Sequence, residues 1–377
     1  MALSKVDLAN QVENQLPQNL VANNLPFRNI IINGDMSIAQ RGTSATGITD
    51  GNTYHTVDRM KTQVITAGTW TQTQDTDVPT GQGFTKSLKM DCTTADASLG
   101  ADDFLIVRQD VEGQNLQYLK YGTSNAESVT MSFWVKSNKT GTYIIWLYAP
   151  NASNRQISKS YTINTADTWE KKTITFAGDT AQAFTNDNDS RLRVYFILAA
   201  GSNSQSGTLA TSWENYVTAN RAVGQVNLAD STSNYINITG IQLEAGTTAS
   251  DFEFLPVDMN LARCQRYYQV LADGSEQTQS MIGTGLYFSA SLMVMAMQYY
   301  TEMRATPSLD NVSGTNYYRI FANNTNDYFD DFFLISPNST NKVCDIRNQT
   351  DVSGTAGTAG FVRTENAASF LAFDAEL

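Results

Sequence analysis

Paired carboxylates are the residues of this sequence with the most evident chemical potential. Asp102 with Asp103, Asp187 with Asp189, and Asp330 with Asp331 form three such pairs. Two nearby carboxylates can hydrolyse a glycosidic bond, one as general acid and the other as base or nucleophile. All three pairs lie in polar segments typical of loops, where acidic residues are commonly just solvated. We therefore expect no catalytic residues and no enzyme, and a glycan-degrading enzyme is the least favoured alternative.

The sequence contains few residues that could bind a metal ion or take part in histidine-based catalysis. His55 is the single histidine, which disfavours a Ser–His–Asp or Cys–His centre and a histidine zinc site. Residues 186–189 alternate Asn and Asp, whose oxygens suit Ca²⁺, although the Gly and distal Glu of a calcium loop are missing. We expect no cofactor, apart from a structural calcium ion that Asp187 and Asp189 could hold.

Aromatic residues on predicted strands offer a binding surface instead. Side chains alternate between the two faces of a strand, so Trp134 points away from the apolar set of residues 131–136. Residues 137–141 read as a hairpin loop, which would place Trp134 across from Ile144. Rings beside basic and hydroxyl groups suit sugar recognition. The predicted carbohydrate-binding residues are Trp134, Trp146, Tyr148, Arg193 and Tyr195. The alternative is that loops or a neighbouring subunit cover this face, so that the rings are packing.

The composition favours exposed β-sheet and excludes some partners. With 25 Lys and Arg against 37 Asp and Glu, the net charge is −12, which repels phosphate backbones and disfavours nucleic acid. Only 16% of residues are charged, and Thr, Asn and Ser fill the gap, as on a solvated pleated surface. The start has no secretory signal, and no apolar run is long enough for membrane insertion. We expect synthesis in the cytoplasm without secretion.

Short alternating segments predict the architecture. Seven candidate strands occupy residues 87–92, 104–111, 128–136, 142–148, 170–176, 192–198 and 235–243. Their number and length are typical of a jelly-roll β-sandwich, which we assign to residues 27–256. Gly240 interrupts the last strand and predicts a bulge.

The rest of the chain divides into three parts. Residues 1–26 read as an N-terminal docking arm that would order only against another surface. Residues 257–270 read as a partly helical connector, and residues 271–377 as a second, smaller β-domain. Within that domain, residues 286–297 read as one strand that is apolar on both faces, which predicts core packing or a subunit contact.

Several longer motifs together resemble one group of proteins. They are NIIINGDMSIAQRGT at 29–43, YHTVDR at 54–59, MSFWVKSNKTG at 131–141, AVGQVNLA at 222–229, ITGIQLEAG at 238–246, ARCQRYY at 262–268 and FDAEL at 373–377. As a set, they resemble tail-fibre-like virion structural proteins of bacteriophages from aquatic bacteria. The resemblance implies a carbohydrate-binding-module-like jelly roll with an added β-domain. It carries over no catalytic or sugar-binding residues.

The resemblance also implies a place and partners. We expect a bacteriophage virion structural protein, a tail fibre or appendage, that attaches through residues 1–26 to other virion proteins. It would form a homotrimer and contact host cell-surface glycans. The alternative is a capsid or collar decoration protein that binds no ligand, and a glycan-degrading tailspike is the least favoured reading.

Overall fold

The computed structural model describes residues 27–150 and 153–377. The chain divides into two compact units, the first ending at Leu255 and the second spanning Pro256–Leu377. Within the described residues, 23 β-strands and one α-helix are present, and every strand pair is antiparallel. The all-β prediction with a jelly-roll sandwich is confirmed. The predicted docking arm at residues 1–26 lies outside the described residues.

The first unit is a sandwich of two sheets. Its strands are β1 (Ser44–Ile48), β2 (Gly51–Tyr54), β3 (Lys61–Ile65), β4 (Thr69–Asp75), β5 (Ser87–Thr94), β6 (Phe104–Glu112), β7 (Val129–Ser137), β8 (Gly141–Ala149), β9 (Arg155–Ile163), β10 (Glu170–Phe176), β11 (Ser190–Ala200), β12 (Glu214–Asn215) and β13 (Tyr235–Ala245). A six-stranded sheet has the order β1-β4-β5-β13-β7-β10. A seven-stranded sheet has the order β12-β9-β8-β11-β6-β3-β2.

The core of the first unit lies between these sheets. Alternate residues of each strand point inward, as in Val129, Met131, Phe133 and Val135 of β7, all fully buried. Phe133 meets Phe196 of β11 edge to face, with ring centroids 5.1 Å apart. Because the two rings come from different sheets, this contact joins the layers of the sandwich.

Gly240 produces the bulge that the sequence predicted. The pairing of β13 with β7 shifts between Thr239 and Gln242, and Gly240 has φ +62°. A Cβ there would lie 2.6 Å from the ring of Phe84. Any other residue would combine an unfavourable φ with a clash, so glycine is required.

The predicted strands are correct, but one predicted pairing is wrong. All seven predicted strands occur, with ends within two residues of the prediction, whereas β1, β2, β3, β4, β9 and β12 were not predicted. However, β7 belongs to the six-stranded sheet and β8 to the seven-stranded sheet. Residues 137–141 therefore cross between sheets instead of forming a hairpin. Both strands keep their apolar faces in the core this way, which a loop length cannot reveal.

Residues 27–43 contain no strand and are held by buried amides. The Asn29 amide donates to the carbonyl of Ile241 at 3.0 Å, and its oxygen accepts from the Leu243 amide at 3.0 Å. Asn33 bonds both backbone groups of Ile38, at 2.8 and 3.0 Å. This motif, which is part of the resemblance, therefore has a structural role in closing the sandwich.

The second unit contains one helix and two sheets. Its elements are α1 (Val257–Gln265), β14 (Tyr268–Asp273), β15 (Met281–Ser289), β16 (Leu292–Gln298), β17 (Ser308–Val312), β18 (Tyr318–Ala322), β19 (Thr325–Phe329), β20 (Phe333–Leu334), β21 (Val343–Asn348), β22 (Ala359–Thr364) and β23 (Phe370–Asp374). The sheet orders are β14-β23-β17 and β19-β18-β22-β15-β16-β21-β20. Across the described ranges, no helix has the length and apolarity needed to cross a membrane.

Two expectations for the second unit require correction. The predicted connector ends too late, because β14 begins at Tyr268 and pairs with β23. The predicted single strand at 286–297 is a hairpin of β15 and β16, with its turn at residues 290 and 291. Small residues form this turn without the Gly, Pro or Asn that would have marked it. Its two-faced apolar pattern places Tyr287 in the core and leaves Phe288 70% exposed.

Candidate functional site

Four of the five predicted sugar-binding residues share one face. Trp146 and Tyr148 lie on β8, where they pair with Tyr195 and Arg193 of β11. The residues between them, including Ile145, Leu147 and Phe196, fill the sandwich core. The four therefore lie on the outer face of the seven-stranded sheet.

The rings of this face form an aromatic quartet, which we define as Trp146, Tyr148, Tyr195 and Tyr216. The centroid of Trp146 lies 4.2 Å from Tyr195 and 5.3 Å from Tyr148. Tyr216 lies 5.4 Å from Tyr148, nearly perpendicular to it, and 6.1 Å from Trp146. Such contacts fix the ring orientations.

A long connection covers part of the quartet. Residues 201–226, which include the short edge strand β12, supply Tyr216 and Arg221 to this face. Ser158 of β9 donates its hydroxyl hydrogen bond to the carbonyl of Arg221 at 2.9 Å. As a result, Trp146 and Tyr195 are only 3% and 4% exposed, so they support the site and offer no ring face to a sugar. The alternative that a loop covers the face holds for these two, whereas Tyr148 and Tyr216 are partly exposed.

Three arginines surround the quartet. Arg108 of β6 donates to the Tyr195 hydroxyl at 3.2 Å. Its Nε and that of Arg193 lie 3.2 and 3.7 Å from the same oxygen of Asp110. Burial acts to lower the pKa of Arg193, but Asp110 and the neighbouring tyrosines outweigh it, so the pKa of Arg193 is raised overall. The third arginine, Arg221, lies with its guanidinium carbon 5.5 Å from the Trp146 centroid.

Buried polar atoms at this face lack hydrogen-bond partners. Within the described residues, no hydrogen bond reaches the Trp146 indole Nε1 or either carboxylate oxygen of Asp110. Asp110 is only 1% exposed and is held by ion pairs alone. Buried donors and acceptors normally find partners in proteins. These atoms are themselves enclosed, so they offer no hydrogen bonds to a ligand at the surface.

Trp134, the fifth predicted residue, lies elsewhere. It pairs with Thr239 and Lys171 on the outer face of the six-stranded sheet. The prediction that it shares a face with Trp146 is wrong, because β7 and β8 belong to different sheets. Nearby, Asp77 accepts hydrogen bonds from Trp169 Nε1 at 2.9 Å and Lys136 Nζ at 2.6 Å.

The calcium hypothesis involves carboxylates that already have a partner. Asp187 accepts from Arg191 Nε at 2.9 Å, and Asp189 lies 3.2 Å from Arg191 Nη2. In the parts of the chain that the structure describes, no group of three or more His, Cys, Asp or Glu residues could hold a metal ion. A calcium ion between Asp187 and Asp189 would have to displace Arg191. Calcium binding stays a prediction.

The other acidic pairs also bind backbone groups. Asp103 accepts from the Gly100 amide at 2.6 Å, and Asp330 from the Asn316 amide at 2.8 Å. The carboxylates thus have structural contacts in loops.

His55 is half-buried, and burial lowers its pKa, with Arg41 adding to the effect. It therefore stays neutral at pH 7.

Sequence reasoning missed four residues of the site. Arg108 and Asp110 lie within the predicted strand at 104–111. Strand alternation would have placed them on the other face of that strand from Leu105 and Val107. That signal was available. Tyr216 and Arg221 lie in a connection without strand periodicity, and only the three-dimensional fold brings them to the quartet.

Comparisons with known proteins give structural matches only. No family model matches the sequence, and no curated protein matches it. Among solved structures, the enzymatically active domain of bacteriophage CBA120 tailspike protein 4 matches with 12% identity and a TM-score of 0.31, over 59% of this chain and 22% of that one. The chain therefore spans about a fifth of the tailspike structure. A family 61 carbohydrate-binding module in complex with β-1,4-galactotriose matches with 10% identity and a TM-score of 0.28, over 58% and 99%. The family 11 module of a Clostridium thermocellum cellulase matches with 12% identity and a TM-score of 0.26, over 58% and 96%.

Proposed function

We propose that the first unit binds a glycan at the outer face of its seven-stranded sheet. The observation that carries this proposal is the aromatic quartet, with two rings buried, two partly exposed, and arginines at its edge. Tyr148 and Tyr216 would pack against the C–H face of a sugar ring. Arg193 and Arg221 would donate hydrogen bonds to its oxygens.

The buried members of the quartet make this surface rigid. Trp146 packs on Tyr148, Tyr195 and Tyr216, so the exposed rings need little ordering when a ligand arrives. A preorganised surface loses less conformational entropy on binding. Rigidity of this kind distinguishes a binding surface from a scatter of exposed rings.

We also propose that the site binds its glycan without cleaving it. Glycoside hydrolysis requires two carboxylates across the scissile bond. Asp110 is the carboxylate at the quartet, and two guanidinium groups hold it in place. Incubation with a bound polysaccharide should leave its size distribution unchanged, and shortening of the chains would contradict this proposal.

Glycan binding can be tested by substitution on the two sheets. Binding of the whole protein to an array of bacterial and algal polysaccharides identifies ligands, and Tyr148→Ala is then compared with Trp134→Ala. We expect Tyr148→Ala to weaken binding about tenfold, since one stacking ring contributes about 1.4 kcal/mol. Trp134→Ala should leave binding unchanged, because it lies on the opposite sheet.

The opposite pattern would place the binding site on the six-stranded sheet. An array without any reproducible ligand for the wild-type protein would contradict glycan binding itself and favour the decoration alternative.

At the level of the particle, we propose a phage appendage that forms a homotrimer and attaches through residues 1–26. The resemblance of the motifs supports this proposal. A second support is the apolar surface of the second unit, where Phe288 is 70% and Phe361 is 52% exposed. Large exposed rings are typical of contacts with another chain.

Light scattering coupled to size exclusion tests the oligomer. A mass of three chains is expected, and Phe288→Ser with Phe361→Ser should shift it towards one chain. A monomeric wild-type protein that is absent from phage particles would contradict both the trimer and the virion role.

A further inference from the structure

Arg221 differs from Arg108 and Arg193, the other two arginines beside the quartet. Its guanidinium donates to the hydroxyls of Ser204, at 2.8 and 3.0 Å, and Tyr216, at 3.3 Å. It also lies over the ring of Phe104, 4.1 Å from the centroid. Within the described residues, no carboxylate comes within ion-pairing distance of it. Asp102 influences it only from farther away.

A half-buried guanidinium without a carboxylate partner is unusual, because burial penalises an uncompensated charge. Burial indeed lowers the pKa of Arg221 below its ordinary value. Arginine nevertheless stays protonated at neutral pH. The hydroxyl groups accept hydrogen bonds from the guanidinium, but they do not balance its positive charge.

The three arginines around the quartet together create an excess of positive charge. Arg108, Arg193 and Arg221 contribute three positive charges, whereas Asp110 contributes one negative charge that two of them share. The balance of these four groups is thus 3 − 1 = +2, or +1 when the more distant Asp102 is included, in a chain whose net charge is −12. A local excess of arginines attracts anions even on an acidic protein.

We propose that the ligand of this site is an acidic glycan, whose anionic group is bound by Arg221 and Arg193 while its ring packs on Tyr148 and Tyr216. This inference rests on the proposed glycan binding and specifies its ligand class. Guanidinium groups form paired, charge-assisted hydrogen bonds with carboxylate or sulfate oxygens. Both groups occur on polysaccharides and present the same chemistry to the site.

The negative charge of the rest of the protein makes the inference specific. A net charge of −12 repels polyanions from most of the surface. Binding of an acidic glycan would therefore require a face where basic side chains outweigh acidic ones, as they do at the arginine-rich face.

Matched glycan pairs test the ligand class. The whole protein is titrated with oligogalacturonides and their methyl esters, and with sulfated galactan oligosaccharides and their desulfated forms. The first pair reports recognition of a carboxylate and the second of a sulfate. We expect at least one charged member to bind about tenfold or more tightly than its neutral partner, and added salt to weaken this binding.

Substitutions connect the preference to the arginines. Arg221→Gln should remove most of the preference for the charged member, and Arg221→Lys should restore part of it. Arg193→Gln provides a second variant, because Arg193 is more exposed and its loss should disturb the fold less. Lys171→Gln is the matched control, since it removes a positive charge from the exposed outer face of the six-stranded sheet. Thermal melting of each variant confirms folding.

The outcomes separate the two proposals. Equal binding of charged and neutral members, or hits on the polysaccharide array that are all neutral, would overturn the acidic ligand and leave glycan binding in place. A preference that survives in folded Arg221→Gln and Arg193→Gln would overturn the assignment to these arginines. No binding to either the pairs or the array would overturn both proposals.

Discussion

The outer faces of the two sheets of the first unit contain the same kinds of residues in different settings. On the seven-stranded sheet, Trp146 is buried beneath residues 201–226, and Arg108, at 5% exposure, is enclosed with Asp110. On the six-stranded sheet, Trp134 is partly exposed, and Lys136 pairs with Asp77, whose side chain is 41% exposed. One face is thus a covered cluster, and the other is a solvated surface.

This difference shows what decides whether an aromatic and basic face can bind a ligand. Covering part of the face fixes the rings and lowers the effective dielectric around the charges, which strengthens their interaction with an anion. The solvated face has its charges neutralised locally and screened by water. Loss of corresponding residues should therefore have unequal effects on the two faces.

The largest difference is expected between the two tryptophans. Trp146→Ala should lower the free energy of unfolding by about 3–5 kcal/mol, because it leaves a cavity beneath Tyr148 and Tyr216. Trp134→Ala should cost about 1 kcal/mol or less, as for a partly exposed side chain. All five tryptophans precede residue 256, so denaturation followed by tryptophan fluorescence reports the first unit. Equal losses for the two variants would refute the contrast between a covered and a solvated face.

A smaller difference is expected between the two carboxylates. Asp110→Asn leaves Arg108 buried without its counter-ion and should cost about 3 kcal/mol. Asp77→Asn weakens an ion pair exposed to water and should cost about 1 kcal/mol or less. Urea denaturation of both variants measures the two values. If Asp110→Asn were as mild as Asp77→Asn, the arginines would not depend on Asp110, and the charge balance of the site would need revision.

The sequence predicted the strands of the first unit well because their periodicity is local. In β7 and β11, apolar residues alternate with polar ones over a whole strand, so length and inward face follow from neighbouring residues alone. Strand pairing is not local. The loop at 137–141 has a length that fits both a hairpin and a crossing between sheets, and that ambiguity placed Trp134 on the wrong face.

The site was predicted only in part, because strand alternation is local and the path of a connection is not. Trp146, Tyr148, Arg193 and Tyr195 share a face through strand alternation and through the direct pairing of β8 with β11. Tyr216 and Arg221 reach that face from an irregular connection, whose path depends on contacts such as that of Ser158 with the Arg221 carbonyl. No periodicity marks such a path, so burial of Trp146 and the unpaired charge of Arg221 emerge only from the folded structure.

The last effect is expected from acid, and it should arise at the six-stranded sheet. Glu170, which begins β10, accepts hydrogen bonds from the amides of Asn164 and Thr165, both at 2.8 Å, and from Lys172. Burial acts to raise the pKa of Glu170, but these hydrogen bonds outweigh it and lower the pKa to about 2 from 4.5. A carboxyl whose pKa is lowered by folding stabilises the fold above its unfolded value, and this stabilisation disappears as pH falls from 4.5 towards 2.

Glu170→Gln should therefore lower the free energy of unfolding at pH 7 and flatten its decline in that acid range. Urea denaturation at several pH values, followed by tryptophan fluorescence, measures both. Glu127→Gln is the control, because it removes the same charge from a surface ion pair in which Glu127 and Lys120 are 43% and 54% exposed. The guanidinium groups beside the quartet stay protonated throughout this range, so acid should not change their charge. If Glu127→Gln flattened the pH dependence as much as Glu170→Gln, the effect would reflect net charge, and the hydrogen bonds at the start of β10 would not be its cause.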